Sequence, residues 1–392
     1  MSAITRAARR LDAAVGRRLG PRRVVVDART AMNVAILAPV ANALRRDPRV
    51  SVTCTAPQPA DLAGAIAASG LPIAVHDRRA MTWRRVDLCL SADPWDPIEL
   101  RRCDRRANFF HGMAGKYDLD SPGNLPAGFA DFDRVAFVNR DRMQRYLAAG
   151  IVTPDAAVLV GYPKVDALVN GAYDAAAIRA GLRLDPSRPT AIYAPTWSPA
   201  SSLNLAGEAI VQHLVAAGLN VIVKLHDRSL DATNVRFSGG IDWRARFAAI
   251  AVPGRMAFVE SADSSPLLAA SDLMVTDHSS IGFEFFLLDR PLVIFDAPDL
   301  AATARINPDK IALLRSGARV VGTAAEAAAA AVDELTTPHR LSAVRRAIAC
   351  DMFHEPGTAT RRAVTMVYEL LDLPAPHLRD VVRDASVAES LS

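Results

Sequence analysis

Long apolar runs are missing from this 392-residue chain. None approaches the roughly 18 residues that span a bilayer, and no apolar signal-peptide core stands near the start, so a soluble or at most peripheral protein is expected. Cysteine is scarce as well. Cys54, Cys89, Cys103 and Cys350 stand apart, with no C-x-x-C pair and no His/Cys ligand spacing. That argues against a disulfide scaffold and a structural zinc or other metal site, and fits a reduced, cytoplasmic compartment. Aromatic residues are only 6% of the chain and no basic stripe interleaves with them, which argues against a nucleic-acid partner. The excess of one charge sign is small, 46 Lys and Arg against 42 Asp and Glu, for a formal charge of +4. It favours anionic partners such as nucleotides, phosphorylated polymers or acidic lipid surfaces. No repeat at solenoid periods is visible.

What is present is apolar material, 51% of residues, enough to bury sizeable cores in a chain whose length suggests two domains. Residues 1–22 form a basic N-terminal segment, with Arg6, Arg9, Arg10, Arg17, Arg18 and Arg22 against the single acid Asp12. Ile4, Leu11, Val15 and Leu19 recur at roughly helical spacing, so two readings stand: a basic amphipathic helix in peripheral contact with an anionic membrane, or a solvated terminus. From 23 onward short apolar runs alternate with helical periodicity, the signature of parallel βαβ units. Strands are expected at 24–26, 50–55, 73–75, 86–90, 107–110, 135–138 and 157–160, then at 191–194, 221–225, 257–259, 273–275, 292–295 and 319–321. An irregular Gly161-Tyr162-Pro163 turn and a polar stretch at 184–189 mark a crossover between them. The expectation is an α/β chain with two tandem Rossmann-like domains, 23–170 and 171–373, facing a central cleft. Two helices at 341–350 and 358–371 close the second domain, and 374–392 is a polar tail.

Several stretches carry groups suited to phosphate chemistry. In 271–296 an apolar run, the turn Thr276-Asp277-His278-Ser279-Ser280, a helical repeat and a second apolar run make a strand, loop, helix, strand unit. Ser279 and Ser280 are placed to cap that helix, and Gly282 adds no bulk in its first turn. The stretch is therefore either an ordinary capped helix or an anion site. Phe109-Phe110-His111-Gly112 ends a strand in a histidine beside a flexible turn, suited to a general base or to a structural hydrogen bond. Lys224-Leu225-His226 ends another strand, and period-two geometry puts Lys224 and His226 on one face, as a phosphate-holding pair or as solubilising groups. Pro195-Thr196-Trp197 brings a hydroxyl and an aromatic to a third strand end. Asp131-Phe132-Asp133 precedes a strand and is read as a turn rather than a metal motif.

In order, the motifs are His111-Gly112 with Lys116, Gly161-Tyr162-Pro163-Lys164 with Asp166, Ala194-Pro195-Thr196-Trp197, Lys224-Leu225-His226, and Thr276 to Ser280 running into Phe283-Glu284-Phe285 and Asp289-Arg290-Pro291. Together they resemble the CDP-glycerol glycerophosphotransferase family, the teichoic-acid primases and polymerases. Pro356-Gly357-Thr358 resembles that family's C-terminal glycine turn. The resemblance covers roughly residues 105 to 365. It implies the GT-B architecture and transfer of glycerol phosphate, or a related phosphopolyol, from a CDP-linked donor to a hydroxyl of a cell-envelope or capsular glycan or lipid-linked acceptor, with release of CMP. Carried over, His111 is the base that deprotonates the acceptor and His226 stabilises charge on the leaving CMP. Gly112, Lys164, Pro195, Thr196, Lys224, Asp277, His278, Ser279 and Ser280 fall to donor binding, and Glu284 to a ribose contact. No cofactor or metal is called for, and a cytoplasmic place at the inner face of the membrane is implied. The sequence departs from the family at Met113-Ala114-Gly115, where Thr-Pro-Leu is usual. Lys164 replaces an arginine, Asp227 a proline and His278 a tyrosine. The alternatives are a nucleotide-sugar enzyme of GT-B or UDP-N-acetylglucosamine 2-epimerase type, and a non-catalytic nucleotide-binding scaffold.

Overall fold

The structure is a computed structural model, and it describes residues 20–94, 98–110 and 127–376. The Arg-rich stretch up to residue 19 and the tail from 377 lie outside the described residues. No helix among the described residues is long and apolar enough to cross a membrane. The described residues form two compact units, one made of those up to Asp166 together with those from Phe353 onward, the other of Ala167–Met352.

In the first unit the strands are β1 (Arg22–Asp27), β2 (Val50–Ala56), β3 (Val75–Asp77), β4 (Arg85–Ser91), β5 (Arg102–Phe109), β6 (Arg134–Phe137) and β7 (Ala157–Leu159). They lie in the order β3-β2-β1-β4-β5-β6-β7 and pair in parallel throughout. Val24, Val25 and Val26 are all buried, as a central strand covered on both faces requires. Helix α1 (Ala31–Leu44) begins at a capping box in which Thr30 and Asn33 satisfy each other's backbone N–H groups. Helix α2 (Arg140–Ala148), capped by Asn139, packs Tyr146 against Phe110, Phe129 and Phe137 with ring centroids 5.2 to 5.5 Å apart. That cluster anchors the end of β5. The turn ahead of β6 is as expected: Asp133 accepts from the Arg106 backbone N–H at 2.8 Å and pairs with Arg105, so it splints β5 to β6.

The second unit repeats the plan. Its strands are β8 (Thr190–Tyr193), β9 (Asn220–Val223), β10 (Met256–Phe258), β11 (Leu273–Thr276), β12 (Leu292–Phe295) and β13 (Arg319–Val321), in the order β10-β9-β8-β11-β12-β13 and all parallel. Helices α3 (Ser202–Ala216), α4 (Trp243–Ala249) and α5 (Ile281–Phe286) alternate with the strands, followed by α6 (Ala324–Thr336) and α7 (Ser342–Met352). Ala191, Tyr193, Val221, Val223, Leu273 and Val275 share one core with Val211 and Leu214 of α3 and Ala327 and Ala331 of α6. Ile192, Ile222, Met274 and Ile294, also fully buried, alternate with them along the strands. Gly282 serves packing rather than backbone access, because a Cβ there would meet a Leu314 methyl at 2.9 Å.

Each unit is thus a Rossmann-like parallel sheet flanked by helices, as in GT-B proteins, with a switch in strand order at β1/β4 and again at β8/β11. The last helix, α8 (Ala359–Leu370), packs with the first unit, whereas the sequence reading ran the second domain on to 373. Its N-terminus has no side-chain cap of its own. Asp166 supplies one, accepting from the backbone N–H groups of Gly357 at 2.8 Å, Ala359 at 3.2 Å and Thr360 at 2.5 Å. Gly161 lies at φ +90, and a Cβ there would stand 2.5 Å from the His354 carbonyl, so only glycine admits this return.

Candidate functional site

Ligands of open α/β sheets bind outside the carboxyl ends of the strands where the strand order reverses. In the second unit that point lies between β8 and β11, with β9 next to β8. The three strands release Ala194-Pro195-Thr196-Trp197, Lys224-Leu225-His226 and Asp277-His278-Ser279-Ser280. Three stretches chosen separately in the sequence are therefore neighbours on one sheet edge.

A buried carboxylate holds two of these loops. Asp277 Oδ1 accepts from the Thr196 N–H at 2.9 Å, and Oδ2 accepts from the N–H and hydroxyl of Ser202 at 3.1 and 3.0 Å. Ser202 opens the first turn of α3, which is kinked at Ala206, so this carboxylate takes up N–H and hydroxyl donors at a helix start. Since the Ser202 proton goes to Asp277, the Tyr193 hydroxyl donates to Ser202 Oγ at 3.0 Å. Burial pushes the Tyr193 phenol well above its ordinary value, which keeps that donor protonated. Asp277 is thus a positioning residue whose oxygens are engaged within the protein. The Thr276 hydroxyl adds a 2.6 Å bond to the Ala194 carbonyl.

The other expected residues take distinct places. His226 Nδ1 accepts from the Arg228 N–H at 3.2 Å, so in the neutral imidazole the proton is on Nε2, which becomes a donor. The His226 ring stands 6.0 Å from that of Trp197. Regular strand ends at Val223, so period-two alternation does not govern the pair: Lys224 is buried with Nζ donating to the Leu225 carbonyl at 2.7 Å, while His226 is half-buried. Ser279 and Ser280 are half-buried as well, and the expected cap is absent. Ser280 occupies the N-cap position in helical φ/ψ and makes no side-chain cap bond, because the first turn already extends back through the Gly282 N–H to Ser279 carbonyl contact. The hydroxyls of Ser279 and Ser280 bond to no described residue. Pro195, Thr196, His278 and Glu284 are buried around them. Lys164 belongs to the first unit, buried with its ammonium 6.0 Å from the Tyr162 ring centroid. His111 and Gly112 lie outside the described residues, as does Lys116.

Two matching motifs are scaffolding. Asp289, at φ 51, bonds Ser342 Oγ and Arg345 Nε, tying α7 to the turn before β12. Arg290 donates to the carbonyls of Leu268, Ala269 and Ser271, which end the preceding short helix. Sequence reasoning missed Ser202, Arg228 and Phe237. The Ser201-Ser202 pair ahead of an apolar-periodic helix was a usable signal for the first. The other two have none.

Residues 137–305 match the family model described as CDP-glycerol:poly(glycerophosphate) glycerophosphotransferase. Over that segment, somewhat less than half of its length, the chain is similar to the CDP-glycerol glycerophosphotransferase family. The matched segment runs from the last residue of β6 to Arg305 and holds all three loops of the β8/β11 edge together with the Gly161 to Asp166 turn. Over 173 residues the chain is 24% identical to the teichoic acid glycerol-phosphate primase of Bacillus spizizenii, covering 43% of this chain and 41% of that one. It therefore spans about two-fifths of that relative's length. Among solved structures, the wall teichoic acid polymerase TagF superposes with a TM-score of 0.66 at 16% identity, over 90% of this chain and 89% of that chain. S. aureus MnaA in co-structure with UDP gives 0.60 at 14% identity, over 91% and 98%. At these identities the likeness concerns the fold. The likeness to the glycerophosphotransferase family rests on the matched segment, which contains the loops at the switch point.

Proposed function

We propose that this glycerophosphotransferase relative transfers glycerol phosphate, or a related phosphopolyol, from a CDP-linked donor to a hydroxyl of a cell-envelope or capsular glycan or lipid-linked acceptor. The observation that carries the reading is the convergence of the β8, β9 and β11 loops at one switch point inside the family-matched segment. Phosphoryl transfer asks a protein mainly for positioning and for stabilisation of charge on non-bridging and leaving oxygens. The edge offers the Nε2 donor of His226 and the Ser279 and Ser280 hydroxyls, on loops fixed by Asp277. His226 stabilises charge on the leaving CMP through its Nε2–H, and Ser279, Ser280 and Thr196 hold donor phosphate oxygens. Glu284 fits a ribose hydroxyl. His111, by its motif, takes the acceptor proton, so that the acceptor oxygen attacks phosphorus while the bond to CMP breaks. A cytoplasmic enzyme in peripheral contact with the membrane suits a lipid-linked acceptor.

The test is CMP release from CDP-glycerol with and without an acceptor pool. His226→Ala should lower the rate by about 10²-fold or more, as expected for loss of a charge-stabilising donor, with a much smaller change in donor affinity. Wild-type turnover preserved in that variant would remove the assigned role. A second reading, a nucleotide-sugar enzyme, draws on the fold likeness to MnaA bound to UDP. Stronger thermal stabilisation by UDP than by CDP would favour it.

A further inference from the structure

Arg228 follows His226 by two residues and belongs to no family motif quoted above. Its guanidinium carbon lies 4.4 Å from the ring centroid of Trp197 and 4.8 Å from that of Phe237. The two rings meet edge to face at 5.1 Å, forming a corner into which the guanidinium fits. Arg228 is nonetheless exposed. Among the described residues no carboxylate pairs with it and no oxygen accepts from its side chain. Asp231, the acid nearest along the chain after Asp227, is engaged by the N–H and hydroxyl of Thr233. Two other arginines of this unit are engaged differently: Arg244 is forked onto Glu260, and Arg246 pairs with Glu208. A guanidinium stacked on two rings keeps its charge and its in-plane N–H donors while losing rotamer freedom. Here it stands beside the Nδ1-accepting His226, at the mouth of β9 and next to the β8 loop that carries Trp197.

We propose that Arg228 grips the phosphate oxygens of a nucleoside diphosphate, and that Trp197 and Phe237 are positioning residues that hold its fork in place. This rests on the reading that the β8/β9/β11 edge binds the nucleotide donor. The planar fork suits two oxygens of one phosphate, or one from each of two, and complements the single donor of His226. It also gives this chain a cationic contact beside a histidine that Asp227, where the family usually has proline, follows directly.

The test is calorimetric titration of the full chain with CDP, UDP, inorganic pyrophosphate and cytidine. Arg228→Ala should weaken the diphosphates by about tenfold or more, as loss of charge-assisted bonds does, and leave any cytidine binding within about twofold. Arg228→Lys should fall between, since an ammonium keeps the charge but not the fork. Phe237→Leu should cost diphosphate affinity several-fold without touching cytidine. An unchanged thermal midpoint in Arg228→Ala separates lost binding from lost folding. Equal affinity for CDP in wild type and Arg228→Ala overturns the inference while leaving the proposed transferase intact. Arg228-dependent binding of UDP with no binding of CDP sinks the CDP reading and keeps this one. A wild-type chain that takes neither diphosphate overturns both.

Discussion

Asp47 carries a pH signature that belongs to one residue. The Arg49 guanidinium foremost, and the Tyr368 hydroxyl at 2.7 Å, hold its carboxyl down to about 2 from the ordinary 3.8. A carboxylate depressed on folding contributes stability that is present above pH 4 and lost as pH falls toward 2. With Arg49 partly exposed, the contribution is discounted to about 1–2 kcal/mol. Urea unfolding between pH 5 and 2.5 should show that loss in the wild type and not in Asp47→Asn. The bond joins residues 321 apart, and nothing in the local sequence of either announces it. The same holds for Asp277: its place in a strand-end motif was legible, but its oxygens had to be followed to Thr196 and Ser202 before its role as a loop tie was apparent.

At the scale of elements, buried parallel strands were legible because they are continuously apolar. The run Val24-Val25-Val26 and the run Leu292 to Phe295 need no partner to be recognised. The start of β5 was read five residues late because Arg102, Asp104, Arg105 and Arg106 break the apolar pattern there. The helix Ala175–Gly181 was missed because it buries no residue, so it has no stripe to read. The helix Pro308–Ser316 did carry a start signal, Asn307 accepting from the Asp309 N–H with proline in the first turn. The turn between α5 and β12 yields a prediction. Arg345 is fully buried against Asp289 in that turn, so Asp289→Ala leaves a buried guanidinium without its carboxylate. A cost of about 3 kcal/mol in urea unfolding is expected, and adding Arg345→Met should recover much of it.

For the whole molecule, period and turn signals foretold two parallel α/β units; the strand order that the two sheets share, with its switch points, came only from the structure. The return of the chain after Met352 was not foretold, because the contacts that anchor it link Gly161 and Asp166 to residues about 190 positions away. Among the described residues the second unit is one continuous segment containing all six of its strands, so residues 167–352 expressed alone should unfold cooperatively. Residues 20–166 alone should not, and should gain cooperativity when a peptide of residues 353–376 is supplied. Circular dichroism melting of the two fragments and the mixture decides this.

The cap that Asp166 gives α8 also has a consequence for the order in which the protein is made. On the ribosome the first sheet emerges ahead of the second unit, yet the helix that completes its unit is translated only after that second unit. The second unit has all its strands in hand before that, so it can reach its native state while its predecessor still waits. Of the two units, the one begun earlier is finished later.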